Sequence, residues 1–93
     1  MNPAVVIPVY NHPRVTSVIA QARALALPIV VVDDGSGEET QAALASFARA
    51  QRDQGEEHLT LLRHPKNQGK GAALLTGFTA ALALGHDAAL TID

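Results

Sequence analysis

The stretch "PIVVVDDGSG" (residues 28–37) changes character at its midpoint. Its first half is a run of β-branched residues without polar alternation, which is typical of a strand covered on both faces of a sheet. Its second half is acidic and rich in glycine. Ser36, followed three residues later by Glu39, has the pattern of a capping box that opens a helix. The stretch therefore predicts a buried strand that passes directly into a helix.

Three further apolar runs resemble this strand, and segments with helical spacing separate all four runs. The runs are "AVVIPVY" (residues 4–10), "HLTLLRH" (58–64) and "AALTI" (88–92). The last helix is predicted over about residues 71–84, and its inward face is predicted to consist of Leu74, Phe78, Ala81 and Leu82. This order predicts an α/β fold, β-α-β-α-β-α-β, with an open parallel sheet and right-handed crossovers.

Composition limits the class of protein. The chain has 93 residues, of which 47% are hydrophobic and 17% charged, as expected for one small globular domain. A net charge of -2 gives no basic footprint, so we expect no nucleic acid partner. The chain contains no cysteine, which excludes disulfides and thiolate metal sites. No apolar run is long enough to span a membrane, and the first residues lack the pattern of a signal peptide. We therefore expect a cytoplasmic protein, or one at the cytoplasmic face of a membrane.

An open parallel sheet binds its ligands at the carboxyl ends of its strands. The segments predicted to lie there are "PVYNHP" (residues 8–13), "VDDGSG" (32–37), "RHPKNQGKG" (63–71) and Asp93. The helix N-termini also point toward this edge, and their free N–H groups and partial positive charge favour anions. The sequence therefore predicts a binding site for a phosphorylated ligand.

Two adjacent acids, Asp33 and Asp34, end the second strand. Neighbouring residues of a strand point to opposite faces, so the two carboxylates are not expected to share one role. One of them could reach into the cleft and accept hydrogen bonds from a ribose hydroxyl or a base N–H. Alternatively, both are turn and cap residues before Ser36. The sequence leaves both interpretations open.

The loops at the same edge offer other candidates. Tyr10 is the sole tyrosine, and it follows the first strand where a flat base could stack. The glycines around Lys70 permit close backbone approach, but a Walker A loop is excluded, since Gly71 occupies the place of its Ser or Thr. Lys70 either contacts the ligand or is solvated. The four histidines lack the spacing of metal ligands, so we expect them to be surface or loop residues.

Together, four segments carry a resemblance to a known family: "VVIPVYN" (residues 5–11), "IVVVDDGS" (29–36), "RHPKNQGKGAALLTGFTAAL" (63–82) and "DAALTID" (87–93). In this order and separation they resemble the N-terminal part of family 2 glycosyltransferases, which are inverting enzymes with the glycosyltransferase A-type fold. The polyprenyl- or dolichyl-phosphate sugar synthases are the most similar branch. The resemblance implies a Rossmann-like half of that fold, with the strands in the order third, second, first, fourth.

The resemblance also implies a reaction and a set of roles. The parent protein would transfer a sugar from a nucleoside-diphosphate sugar to an acceptor, such as a polyprenyl phosphate at the membrane. Pro8 and Tyr10 would line the nucleotide pocket, and Asp34 would contact the base or ribose with Asp33 as its support. Asp93 matches the first acid of an Asp-x-Asp motif, which holds a Mg²⁺ or Mn²⁺ on the donor diphosphate. The general base would lie outside this sequence.

By the same resemblance, residues 1–93 would be the nucleotide-binding N-terminal part of a transferase, truncated at its metal motif and inactive alone. Its fourth strand would be an open edge, so a homodimer through that strand is expected.

Two alternative functions would use the same binding site at the carboxyl ends of the strands. A non-catalytic nucleotide-binding or regulatory module would not need the metal. An NAD-dependent oxidoreductase is disfavoured, because the glycine-rich turn after the first strand is missing.

Overall fold

The computed structural model describes residues 1–55 and 58–92, and it shows strands and helices in strict alternation. The elements are β1 (Pro3–Val9), α1 (Val15–Arg23), β2 (Ile29–Asp34), α2 (Glu38–Asp53), β3 (Leu59–His64), α3 (Lys70–Ala83) and β4 (Ala88–Thr91). The predicted α/β class and the predicted order of elements are confirmed. Among the described residues, no helix is both long and apolar enough to cross a membrane.

The four strands form one parallel sheet in the order β3-β2-β1-β4. This order is the one that the resemblance implied, and it matches a Rossmann-like half of an A-type fold. β1 lies inside the sheet, where it pairs with β2 on one side and with β4 on the other. The direction of winding reverses at β1, and ligands bind open α/β sheets beside such a reversal.

Side chains that alternate along β1 and β2 build two apolar layers. The odd-numbered side chains face α1 and α2 in a core that contains Val5, Ile7, Val9, Ile29, Val31, Val15, Ile19, Ala22 and Leu44. The even-numbered side chains face α3, in a core that contains Val6, Val30, Val32 and Ala73. The two acids that end β2 consequently belong to different layers.

Helix α3 packs very close to the sheet through small residues. Its buried positions are Ala73, Gly77 and Ala81. A Cβ atom on Gly77 would overlap Cγ1 of Val6 and would lie 3.3 Å from Cγ2 of Val32. The prediction that Leu82 faces inward is wrong, since 68% of this residue is exposed. The close approach rotates the helix so that its small residues face the sheet, leaving Leu82 on the outer side.

The two outer strands are less covered than their apolar sequences predicted. β1 and β2 are buried along nearly their whole length, whereas β3 and β4 each expose apolar side chains. Leu90 of β4, for example, is 50% exposed. Helices pack on both faces of the two central strands, and α2 also contacts β3, but the outer strands are covered only in part.

The start of α2 also differs from the prediction. The helix begins at Glu38 with Gly37 as its N-cap and has no side-chain cap from Ser36. The hydroxyl oxygen of Ser36 instead accepts a hydrogen bond from the Asn11 N–H (2.9 Å), while the Gly37 N–H donates to Oδ1 of Asn11 (2.7 Å). The predicted capping box is therefore wrong. These two hydrogen bonds join the loop that follows β1 to the loop that follows β2.

Candidate ligand-binding site at the carboxyl edge of the sheet

A cavity of about 410 Å³ opens at the carboxyl ends of β1 and β2. Its lining comes from the end of β1, the end of β2, the loop after β3 and the first turns of α3: Pro8, Val9, Tyr10, Asp34, Asn67, Gly69, Lys70 and Ala73. This volume suits a small ligand. Three residues predicted to bind a nucleotide, Pro8, Tyr10 and Asp34, thus line one cavity.

The β1 side of the cavity is made by Pro8 and Tyr10. Pro8 lies beyond the part of β1 that pairs with β4, whose register ends at Val6, so its missing N–H interrupts no described pairing there. Tyr10 follows the strand and is 54% exposed. An aromatic ring that is accessible beside a cavity can stack on a flat ligand.

Asp34 forms the opposite side of the cavity, and its carboxylate is fully engaged. Only 2% of the residue is exposed. Its Oδ1 accepts from Nδ1 of His64 (2.7 Å) and from the Gln68 N–H (2.9 Å), while its Oδ2 accepts from Nδ2 of Asn67 (3.0 Å) and from the Gly69 N–H (2.8 Å). A carboxylate has about four acceptor positions, and protein donors occupy all of them here. Asp34 therefore anchors the loop of residues 67–69.

The same contacts set the charge of Asp34. Burial by itself raises the pKa of this carboxyl, but hydrogen bonds from the His64 ring and from the N–H groups of Gln68 and Gly69 outweigh burial. The pKa of Asp34 therefore lies below its ordinary value. The wall of the cavity carries a fixed negative charge at neutral pH, and that charge is already compensated by four donors.

Asp33 lies on the other face of the sheet, as the alternation along β2 requires. It is buried, and its Oδ1 accepts a hydrogen bond from the Ser36 N–H (3.1 Å). It borders a second cavity of about 380 Å³, between β3 and α2, instead of the cavity that holds Tyr10. Asp33 therefore acts as a turn residue, and it does not stand behind Asp34 as the resemblance implied.

His64 is the main residue that the sequence analysis missed. We expected a surface or loop histidine, but His64 is the last residue of β3 and is 8% exposed. Its Nδ1 contacts Asp34, and its Nε2 lies 2.8 Å from Oγ1 of Thr76 on α3. The signal available in the sequence was that the second and third predicted strands end on an acid and a histidine. The structure adds the register, which pairs these two residues directly.

The loops after β2 and β3 also meet backbone to backbone. Gly35 has a φ of 75°, a left-handed conformation that suits glycine. A Cβ atom at this position would overlap the backbone nitrogen of Asn67 and would lie 2.5 Å from the carbonyl carbon of Lys66. Gly35 therefore allows the contact that keeps the Asn67 segment in place beside the cavity.

The described residues do not by themselves assemble a metal site. Within residues 1–55 and 58–92, no group of three or more His, Asp or Glu side chains is placed to hold a metal ion. The predicted metal ligand, Asp93, lies outside the described residues. Its assignment stays a prediction.

A cavity of about 480 Å³ lies at the opposite edge of the sheet and is lined by residues such as Arg23, Pro28 and His58. It borders the amino ends of β2 and β3, where the N-termini of the helices do not point. Since ligands of open α/β sheets bind at the carboxyl ends, we regard the cavity beside Tyr10 as the candidate site.

Comparison with known proteins shows the family of the chain. Residues 4–83 match the family described as Glycosyl transferase family 2. An uncharacterized protein of Methanocaldococcus jannaschii is 32% identical over 80 residues, which are 85% of this chain and 33% of that relative. The chain thus spans about a third of the relative's length. No solved structure matches the chain. Because the family match covers residues 4–83, from β1 to the end of α3, the chain belongs to glycosyl transferase family 2.

Proposed function

We propose that this chain forms the nucleotide-binding part of a glycosyltransferase and that its ligand is a nucleoside-diphosphate sugar. The observation that carries the proposal is the cavity that joins Pro8, Tyr10 and Asp34 to the loop before α3, in a chain that belongs to a glycosyltransferase family. In the proposed complex the base stacks on Tyr10. The diphosphate lies toward the N-terminus of α3.

Charge favours α3 over α2 as the helix that receives the diphosphate. The first turn of α2 contains Glu38 and Glu39, which would repel a phosphate. The first turn of α3 contains no acid of its own and begins at Lys70, and the neighbouring Asp34 carboxylate is already bonded to four donors. Free N–H groups and the positive end of the helix dipole attract anions at such a start. Glycines at positions 69 and 71 keep the backbone there accessible.

Asp34 takes part through one exchangeable bond. Three of its four donors are a buried ring and two backbone N–H groups, whereas Asn67 donates from an exposed side chain. We propose that a ribose hydroxyl or base N–H replaces the Asn67 amide on Oδ2. The other three bonds then keep the carboxylate and the loop in position.

Sugar transfer itself is proposed for a full-length protein, since this chain spans 33% of the M. jannaschii relative. There, Asp93 would help to hold a Mg²⁺ or Mn²⁺, which neutralises charge on the leaving nucleoside diphosphate. Transfer would proceed with inversion to an acceptor such as a polyprenyl phosphate, at the membrane surface that faces the cytoplasm. We expect residues 1–93 alone to bind the nucleotide without transferring sugar.

A nuclear magnetic resonance titration tests nucleotide binding. The ¹⁵N-labelled chain is titrated with uridine diphosphate, guanosine diphosphate or NAD in the presence of Mg²⁺. We expect a nucleoside diphosphate to shift the amide signals of Tyr10 and residues 69–71 in a saturable way. Tyr10→Ala should weaken binding roughly tenfold, because stacking of a base on an aromatic ring contributes about 1–3 kcal/mol, and Tyr10→Phe should retain it.

Leu25→Ala is the matched control, because Leu25 is similarly exposed but follows α1 at the opposite edge of the sheet. Shifts confined to the cavity of Arg23 and His58, or equal effects of the Tyr10 and Leu25 variants, would contradict the proposal. Selective binding of NAD would favour an oxidoreductase. A full-length protein that binds the nucleotide but transfers no sugar would favour the non-catalytic module.

A further inference from the structure

We propose that His64 is a positioning residue: its ring holds the Asp34 carboxylate in the orientation that fixes the loop of residues 67–69 beside the cavity. The significance of this role for ligand binding rests on the function proposed above. The effect on the loop does not, because it is a property of the chain without ligand.

The ring of His64 is bonded on both sides. Nδ1 lies 2.7 Å from Oδ1 of Asp34, and Nε2 lies 2.8 Å from Oγ1 of Thr76. An ionised carboxylate only accepts hydrogen bonds, so the proton on this side belongs to Nδ1. On the other side, the Thr76 hydroxyl donates to a neutral ring and accepts from a protonated one. Both contacts therefore persist in either protonation state of the ring.

The donors to Asp34 differ in what supports them. Three of them, the Asn67 amide and the N–H groups of Gln68 and Gly69, belong to the loop that the carboxylate is holding. The fourth is His64, which ends β3 and is tied to α3 through Thr76. The loop donors move with the loop, so they do not by themselves fix the orientation of the carboxylate. The His64 ring can fix it, because the ring is held by two packed elements, β3 and α3.

This arrangement builds one wall of the cavity before a ligand arrives. The chain of contacts runs from Thr76 in α3 through His64 and Asp34 to the N–H of Gly69, and Gly69 lines the cavity. Ordering a loop in advance removes an entropic cost from binding. Loss of the ring should therefore loosen the loop first and weaken ligand binding as a consequence.

Three substitutions separate the two ring contacts. The amide nitrogen of Asn occupies the place of Nδ1, so His64→Asn keeps the donor to Asp34 and loses the contact with Thr76. The amide of Gln reaches the place of Nε2, so His64→Gln keeps the contact with Thr76 and loses the donor to Asp34. His64→Leu loses both. Thr76→Val, which removes one hydroxyl at similar volume, is the control for the Thr76 contact.

The first measurement is amide hydrogen exchange at Gly69 in the ligand-free chain. We expect exchange about tenfold faster in His64→Gln and His64→Leu, which corresponds to losing one hydrogen bond to a charged group, and nearly unchanged exchange in His64→Asn and Thr76→Val. The dissociation constant for uridine diphosphate should rise in the same order. Equal exchange rates in the Asn and Gln variants would overturn the proposal, because the ring would then only fill space.

A second measurement needs no variant. The ¹⁵N spectrum of the imidazole in the wild-type chain should show a proton on Nδ1 of His64, and a ring protonated on Nε2 alone would overturn the proposal. The two proposals also fail separately. If the wild-type chain binds no nucleotide but the exchange rates follow the expected order, the proposed function fails and the positioning role stands. If the chain binds a nucleotide but the exchange rate of Gly69 is unchanged in every variant, the positioning role fails and the proposed function stands.

Discussion

Replacing Gly77 with alanine should destabilise the chain although it improves the helix. In the interior of a helix, alanine is favoured over glycine by about 1 kcal/mol. Against this gain, the new Cβ would overlap Cγ1 of Val6 and would lie 3.3 Å from Cγ2 of Val32. Val6 is fully buried on an inner strand, so it has no free space into which to move. Overpacking of this kind costs about 1–3 kcal/mol, and the severity of the overlap points to the upper end of that range.

The expected net loss is therefore about 2 kcal/mol in the free energy of unfolding. A chain of 93 residues is expected to have about 5–14 kcal/mol in total, so the loss is easily measured. The assay is urea unfolding followed by circular dichroism of the helices. Gly71→Ala is the matched control, because it lies on the same helix and its Cβ would meet no atom within 4 Å. That variant should be as stable as the wild type or slightly more stable.

A double mutant checks the cause. Val6→Ala removes the methyl groups that the new Cβ would meet, so Gly77→Ala should cost less in that background than in the wild type. If Gly77→Ala is as stable as Gly71→Ala, or if the two changes at Val6 and Gly77 add without interaction, then α3 does not approach the sheet as closely as described.

Three further predictions follow from the loops and the sheet edge. Because the pKa of Asp34 is lowered by folding, its contribution to the free energy of unfolding is complete above its unfolded pKa of about 4 and is lost as pH falls through the lower folded value. Asp34→Asn should therefore reduce the dependence of the free energy of unfolding on pH in the acid range, as measured by urea unfolding at several pH values. Gly35→Ala should destabilise the chain by roughly 2 kcal/mol more than Gly55→Ala, since both glycines have a left-handed φ (75° and 81°) but only the first would clash with a neighbouring loop; equal losses would contradict this. The chain should self-associate through the open edge of β4, and light scattering at increasing concentration measures this. Leu90→Lys should reduce the association, whereas Leu75→Lys on the outer side of α3 should not. A wild-type chain that stays monomeric at high concentration would refute the prediction.

Much of the fold was predictable because hydrophobic periodicity is a local property. Continuous apolar runs indicated the four strands, and helical spacing indicated the segments between them. The rotation of α3 was not predictable in this way. Ala81 is buried as predicted, but Leu82, which has suitable spacing and hydrophobicity, is exposed. The short distance between α3 and the sheet places the small residues Ala73 and Gly77 at the contact instead. That distance depends on Val6 and Val32, which are remote in sequence.

The candidate site was predictable in its location and only partly in its contacts. The rule that ligands bind at the carboxyl ends of parallel strands brought Pro8, Tyr10 and Asp34 together correctly. The engagement of His64 depends on which residues of β2 and β3 stand side by side, and the register pairs Asp34 with His64. A single sequence does not contain that register. For the same reason Ser36, which matches a capping box locally, binds a loop 25 residues away.

The order β3-β2-β1-β4 has a consequence for the way the chain is assembled during translation. Of these four strands β1 leaves the ribosome before the others and ends up inside the sheet, and its two neighbours are made at very different times. β2 follows after α1, so one edge of β1 is paired early, whereas the other edge waits for residues 88–91. Until then the nascent chain exposes one unpaired edge of an apolar strand, a state in which incomplete proteins are prone to aggregate. Completion of β4 is therefore the step that covers the second edge of β1.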